Sequence, residues 1–186
     1  MRKLPLFLVL LVALIVIPSC GLDPENDTWE YYEDWRNANN EWLAEQEART
    51  NPDGSPYFTK AVADFDANAY VLMHYFNDRS LTYKNLVPHY TSTCDVKYHV
   101  SLYDGTPVDS SYLMTTNGDS IYRFKPSAVI TGWTIALMNM HVGDSCEVVI
   151  PYAQAYGASS SSSSDIKPYS NLKFLMKLVD IPYYEK

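Results

Sequence analysis

The spacing of apolar residues divides the chain into an N-terminal helical part and a longer part rich in strands. Between Asp27 and Arg49, bulky apolar residues recur at near-helical spacing among charged ones, which predicts an amphipathic helix. Asp27 and Glu30 are spaced as in a capping box, so we expect the helix to begin there. The breaker-rich sequence NPDGSP ends it near Arg49. Its apolar stripe consists of Trp29, Tyr32, Trp35, Trp42 and Leu43.

The remaining chain predicts one sheet. Residues 60–69, KAVADFDANA, predict a second short helix, and the apolar run YVLMHYF at 70–76 predicts a buried strand. Further strands are predicted in STCDVKYHVSLYDG, which ends in the turn pair Asp104-Gly105, and in SIYRF and SCEVVIP. The final segment, NLKFLMKLVDI, alternates as a strand with one face on a core does. That face consists of Leu172, Phe174, Met176 and Leu178.

One helix accompanies these strands. The segment ITGWTIALMNMHVGD, residues 130–144, predicts a helix with Ile135, Ala136 and Met140 on its inner side and Gly143 at its end. An antiparallel sheet packed on one helix is an α+β fold, here with an N-terminal helical extension. We expect this domain to cover residues 67–186.

The first twenty residues have the features of a secretory signal. A basic start precedes the apolar run Leu4–Ile17, which is too short to span a bilayer comfortably. The run ends in Ile-Pro-Ser-Cys-Gly, which resembles a bacterial lipobox, where the cysteine is acylated and becomes the mature N-terminus. We therefore expect a signal peptide at 1–19, a lipid on Cys20 that anchors the protein to a membrane, and a tether with the helical segment at 20–66. An ordinary cleaved signal with an incidental cysteine is the alternative.

Charge and composition exclude several classes of function. The net charge is −8 and no cluster of Lys and Arg follows residue 3, so a nucleic acid backbone would be repelled. The sequence has no metal-ligand spacing of His or Cys, no nucleophile motif and no glycine-rich phosphate loop, so we expect no metal and no cofactor. Cys94 and Cys146 could pair in an oxidising compartment, and the sequence leaves this open.

Short motifs follow one another in the second half of the chain. Tyr98 precedes the Asp104-Gly105 turn, and Asp109-Ser110-Ser111 follows it. The later motifs are VITGW at 129–133, MHVGD at 140–144, IPYAQAYG at 150–157, IKP at 166–168 and NLKF at 171–174. Over roughly residues 88–182 these motifs, in this order and spacing, resemble the FKBP family of peptidyl-prolyl cis-trans isomerases.

This resemblance implies an FKBP-like fold, a sheet wrapped on one short helix, with an aromatic pocket for proline. Trp133 would form the floor, the Ile130 N–H and the Tyr156 hydroxyl would hold substrate carbonyls, and Asp109 would lie against Tyr98. The implied pocket residues are Tyr98, Asp109, Val129, Ile130, Trp133, Tyr156, Ile166 and Phe174. The expected activity is isomerisation of X-Pro bonds in proline-containing secreted or cell-envelope clients.

Two departures from the family pattern leave other functions open. Val108 and Ser120 stand where the family commonly has pocket aromatics, although Ile121 or Tyr122 could replace the second. A wider, wetter pocket would suit a peptide-binding chaperone without turnover. A third hypothesis is a structural envelope lipoprotein that interacts, or self-associates, through its aromatic N-terminal helix.

The six serines at 159–164 are typical of a linker by composition. As a linker, however, they would leave one isolated strand behind them, and an isolated strand is not stable in water. We therefore expect a loop inside the domain, at the rim of the pocket between Tyr156 and Ile166. So polar a rim favours weak or permissive substrate choice.

Overall fold

A computed structural model of the chain describes residues 24–159 and 166–184. The predicted signal peptide, Cys20 and most of the serine run lie outside these residues. In the described part of the chain, no helix is long and apolar enough to cross a membrane.

Seven strands form a single antiparallel sheet. They are β1 (Thr59–Ala63), β2 (Asp66–Tyr75), β3 (Thr93–Leu102), β4 (Pro107–Ser110), β5 (Tyr122–Phe124), β6 (Ser145–Ile150) and β7 (Leu172–Tyr183). Their order across the sheet is β1-β2-β6-β7-β3-β4, and β5 pairs with the start of β3 beside β4. The last strand in sequence therefore lies in the middle of the sheet, paired with β6 on one side and β3 on the other.

Three α-helices are described: α1 (Pro24–Tyr31), α2 (Glu33–Ala48) and α3 (Thr131–Met138). α3 covers the main core on one face of the sheet. On the opposite face, Trp42 and Leu43 of α2 pack on a smaller cluster that includes Leu72 and Val149. The α+β class predicted from the sequence is confirmed, with α3 on one face of the sheet and α2 of the N-terminal helical extension on the other.

The N-terminal helix differs from its prediction. It begins at Pro24 rather than at Asp27, and a break at Tyr32 divides it into α1 and α2. The capping-box pattern at Asp27 and Glu30 therefore lies inside α1, where it marks no start. The predicted end near Arg49 is confirmed, since α2 ends at Ala48 and Arg49 takes extended backbone angles.

The prediction of a short helix at residues 60–69 is wrong. The segment forms β1, a turn, and the start of β2, paired as a hairpin in which Lys60 lies opposite Leu72 and Val62 opposite Tyr70. The alanines of this segment favour a helix, but the segment pairs as a hairpin between β1 and β2. In strands, such non-local pairing commonly overrides the intrinsic propensity of the residues. The sheet thus begins at Thr59, before the predicted domain boundary at residue 67.

The predicted core faces of β7 and α3 are confirmed. Leu172, Phe174, Met176 and Leu178 are all buried, and so are Ile135, Ala136 and Met140. α3 nevertheless ends at Met138, five residues before the predicted stop. Gly143 instead supplies a left-handed φ of 97° in the turn that leads into β6.

The two described cysteines are buried and do not pair with each other. Cys94 lies on β3 and Cys146 on β6, with β7 between them, so their backbones are separated by at least two strand spacings, about 10 Å. A disulfide requires Cα atoms within about 7 Å. Burial raises the pKa of the Cys94 thiol to about 12 and also raises that of Cys146, so both thiols stay protonated at neutral pH.

α3 approaches the sheet closely at Gly132. A Cβ atom built on this glycine would lie 2.3 Å from Cγ2 of Ile150, a fully buried residue at the end of β6. No real Cβ contact is that short, so only glycine allows the helix to lie at this distance. The next residue, Trp133, is thereby held against the sheet.

We expect Gly132→Ala to lower the free energy of unfolding by about 1–3 kcal/mol or more, because the added methyl forces helix and strand apart. Thr131→Ala, on the exposed side of the same helix, should change it by less than about 0.5 kcal/mol. Urea unfolding followed by circular dichroism measures both. Adding Ile150→Ala should remove part of the Gly132→Ala penalty; strictly additive effects would contradict a steric origin.

Candidate functional site

One cleft, with a volume of about 750 Å³, lies between α3 and the concave side of the sheet. All eight residues predicted for the pocket line it, although they come from distant parts of the sequence. Five lining residues were not among those predicted: Val100, Val108, Tyr122, Ala128 and Leu172.

Trp133 forms the floor of the cleft and is only 5% exposed. Its ring makes edge-to-face contacts with Tyr98 at 5.0 Å, Phe124 at 4.9 Å and Phe174 at 5.3 Å between ring centroids. Such perpendicular contacts direct the positive edge of one ring at the negative face of another. They give the floor an apolar, fixed surface.

The wall beside Trp133 carries a short hydrogen bond. The Tyr98 hydroxyl donates to Asp109 Oδ2 at 2.5 Å, and the Tyr98 backbone N–H donates to Ser111 Oγ at 2.9 Å. Burial, followed by this bond to a carboxylate, raises the pKa of Tyr98 well above its usual value. The phenol therefore remains a protonated donor at neutral pH and cannot act as a base.

Tyr122 takes the place in the cleft that Ser120 leaves empty. Ser120 is buried with a left-handed φ of 62°, and its hydroxyl donates to the Tyr112 carbonyl at 3.5 Å. Two residues later, the Tyr122 ring lies 5.8 Å from that of Tyr98. The alternation of side chains along β5 is the sequence signal for Tyr122 as a cleft residue, since Tyr122 and Phe124 lie on the same face of the strand.

A paired charge holds β5 in this position. On the opposite face of the strand, Arg123 binds the nearly buried Asp95 of β3 through Nε and a terminal nitrogen, both at 2.6 Å. This bidentate arrangement fixes both distance and orientation. The aromatic residues on either side of Arg123, Tyr122 and Phe124, are consequently directed toward Trp133.

The start of α3 presents a backbone donor to the cleft. Ile130 precedes the helix with extended angles, and its carbonyl accepts from the N–H groups of Trp133 and Thr134. In the described residues, no protein acceptor is bonded to the Ile130 N–H. Since the residue lines the cleft, this N–H is suited to bind a carbonyl of a bound peptide.

The far rim is formed by the two ends of the serine loop. Tyr156 is 39% exposed at the mouth, whereas Ile166 is almost fully buried in the wall. The Tyr169 N–H donates to the Gly157 carbonyl at 2.9 Å and so closes the base of the loop. Both ends of the serine run therefore belong to one folded unit, as its loop interpretation requires.

A buried pair of asparagines joins this rim to α2. The Asn171 N–H donates to Asn39 Oδ1 at 2.8 Å, and Asn171 Nδ2 donates to the Asn39 carbonyl at 2.6 Å. Asn171 Oδ1 also accepts from the Tyr152 N–H at 2.7 Å, in the turn that leads to Tyr156. Both side chains are fully buried, so these bonds form away from water. The N-terminal helix thus supports the wall of the cleft.

The family model described as FKBP-type peptidyl-prolyl cis-trans isomerase matches residues 85–179. The macrophage infectivity potentiator of Trypanosoma cruzi is 41% identical over 88 residues, which make up 47% of this chain and 42% of that protein. The isomerase FkpA of Escherichia coli K12 is 36% identical over 98 residues, 53% of this chain and 34% of that one. The outer membrane protein MIP of Legionella longbeachae is 36% identical over 94 residues, 50% and 38% of the two chains. The chain spans less than half the length of each relative.

Solved structures agree with the fold. A peptidyl-prolyl cis-trans isomerase from Pseudomonas syringae superposes with a TM-score of 0.61 at 28% identity, over 80% of this chain and 94% of that one. FkpA from Escherichia coli superposes with a TM-score of 0.65 at 24% identity, over 87% and 65% of the two chains. The second match bears on the fold alone.

We expect Asn39→Ala to lower the free energy of unfolding by about 1–3 kcal/mol, because it leaves the buried Asn171 N–H without its acceptor. Asn40→Ala is the matched control: the same substitution, one position along α2, at an exposed side chain. It should change stability by less than about 0.5 kcal/mol. Equal urea midpoints for the two variants would contradict the role of the asparagine pair.

Proposed function

The chain belongs to the FKBP-type peptidyl-prolyl cis-trans isomerase family, and on this premise we propose that it isomerises X-Pro bonds of polypeptide clients in the cleft above Trp133. The observation that carries the proposal is the closed set of aromatic contacts around Trp133, next to a polar wall at Tyr98 and Asp109. Such a cleft can accept an apolar ring, and a small number of hydrogen-bond donors beside it can hold the peptide on either side of that ring.

The reaction needs no nucleophile, because no covalent bond breaks. Rotation about the X-Pro amide is opposed by its partial double bond, with a barrier of about 18–20 kcal/mol for peptide bonds. The planar ground state is more polar than the twisted transition state, because resonance separates charge only when the amide is planar. Transfer from water to an apolar floor therefore favours the twisted state. An acceleration of about 10⁴ requires about 5.5 kcal/mol.

The lining residues divide this work between them. The proline ring lies on Trp133, and the Ile130 N–H and the Tyr156 hydroxyl donate to client carbonyls on either side of it. The protonated Tyr98, held by Asp109, keeps the wall fixed, so its position costs no reorganisation as the amide twists. Val129, Ile166 and Phe174 exclude water from the ring.

A protease-coupled assay tests the activity, with a short peptide whose X-Pro bond is cleaved only in the trans form. The chain should accelerate the slow cis-to-trans phase. We expect Trp133→Ala to lower kcat/KM at least about tenfold, equivalent to about 1.4 kcal/mol of transition-state binding.

Trp29→Ala is the matched control, because Trp29 is 46% exposed on α1 and does not line the cleft. It should retain the activity of the unmodified chain. If Trp133→Ala does not fold, Tyr98→Phe tests the same wall, since it keeps the ring and removes only the bond to Asp109. A folded chain with no acceleration over buffer would refute the enzyme; retained binding of a proline peptide would then favour the non-catalytic chaperone.

The proposal extends to the location of the protein. Residues 1–19 serve as the export signal, Cys20 carries the lipid, and the clients are secreted or cell-envelope polypeptides. The lipobox-like sequence supports this, as does the name of the Legionella relative, an outer membrane protein. Trp29 and Tyr31, exposed on α1, offer a surface for self-association.

We expect Cys20→Ala to shift the protein from the membrane fraction to the soluble fraction of a bacterial host, because it removes the only acylation site of the motif. Ser19→Ala keeps a small residue before the cysteine and should leave the distribution unchanged. Mass spectrometry of the mature N-terminus measures the modification directly. An unmodified Cys20 in the membrane-bound protein would refute the proposed lipid modification.

A further inference from the structure

A second, smaller groove lies next to the cleft, on the other side of Val129. Its volume is about 490 Å³, and its lining consists of Phe65, Tyr90, Val129, Thr131, Thr134 and Met138. Val129 also lines the main cleft, so the two depressions share one wall. A chain leaving the cleft over Val129 enters the groove directly.

The groove exposes large apolar side chains that the fold itself does not require. Phe65, on the turn between β1 and β2, is 67% exposed, and Tyr90, on the loop before β3, is 54% exposed. The outer end of α3 contributes Met138, which is 36% exposed. Exposed apolar side chains that converge on one depression mark a binding surface more than scattered ones do.

Hydrogen bonds tie together the elements that form the groove. The Tyr90 carbonyl accepts from the Ser127 N–H at 3.0 Å, which ties its loop to the turn before α3. Thr134, one of the two threonines that line the groove, donates its hydroxyl to the Pro126 carbonyl at 2.7 Å and is buried. With that donor satisfied, Thr134 offers no free hydroxyl hydrogen to a ligand, and four of the six lining side chains, those of Phe65, Tyr90, Val129 and Met138, are apolar or aromatic.

From the shared wall and these exposed apolar residues we infer that the groove is a second subsite for the client, which binds a large apolar side chain a few residues from the proline. This inference rests on the proposed function, because the proline in the cleft brings the client to the groove. Asp64 and Asp66 flank Phe65 and are exposed. Their charges favour a client with a basic residue beside the apolar one.

Matched peptides test the inference with the full chain. Each has one X-Pro bond and a Lys-Leu pair placed two to six residues before or after it; in the reference series, Ser replaces Leu. At one spacing, we expect the leucine peptide to have a KM about three- to tenfold lower than its serine partner, with kcat unchanged. A tetrapeptide too short to reach the groove reports turnover in the cleft alone.

Phe65→Ser should abolish the preference for leucine and leave tetrapeptide turnover unchanged. Phe76→Ser is the matched control: Phe76 is 54% exposed and lines neither depression, so this variant should keep the preference. Met138→Ser, at the other end of the groove, should reduce the preference for leucine as well. Circular dichroism verifies that each variant is folded.

The outcomes separate this inference from the proposed function. No turnover of the tetrapeptide by the unmodified chain would refute the isomerase itself. Turnover of the tetrapeptide together with equal KM values for the leucine and serine peptides at every spacing would overturn the second subsite alone. A dimer that dissociates on Phe65→Ser, seen by analytical ultracentrifugation, would assign the groove to a second copy of the chain and also overturn it.

Discussion

The cleft depends on the contact between Gly132 and Ile150. Because Gly132 has no side chain to separate the helix backbone from the side chain of Ile150, Trp133 is pressed against the strands rather than lifted above them. Its ring can then meet Tyr98 and Phe174 edge to face. A wider gap would separate these rings, and the floor of the cleft would become a loose hydrophobic space open to water.

Around that contact, polar interactions in the cleft wall and behind it hold the aromatic rings in place. Arg123 fixes the strand that carries Tyr122, Asp109 fixes Tyr98, and Asn39 with Asn171 fixes the rim. Apolar packing alone has no direction, whereas hydrogen bonds specify orientation. The proline site that we propose needs such support to stay open rather than collapse.

The sequence predicted those parts of the fold that depend on local patterns and on family motifs. Alternation along the last strand gave its buried face, and the motif order brought together the eight cleft residues. The segment at 60–69 failed, because its partner strand, not its own propensity, decides its conformation. Asn39 was missed since a polar residue on an amphipathic helix normally faces water, and only the tertiary fold supplies Asn171 as its partner. The sequence did not decide whether Ile121 or Tyr122 lines the cleft in place of Ser120. The left-handed backbone of Ser120 fixes the strand register that brings Tyr122 there.

The central position of β7 has a consequence for the order of events during synthesis. Until residues 172–183 have been made, the chain holds two separate ribbons, β1-β2-β6 and β4-β3-β5, which share no strand and lack a common partner. The floor of the cleft also lacks Phe174. A nascent chain on the ribosome therefore cannot complete this domain early. Until its last strand emerges, the sheet stays in two unjoined parts, a delay that suits the export we propose for this chain.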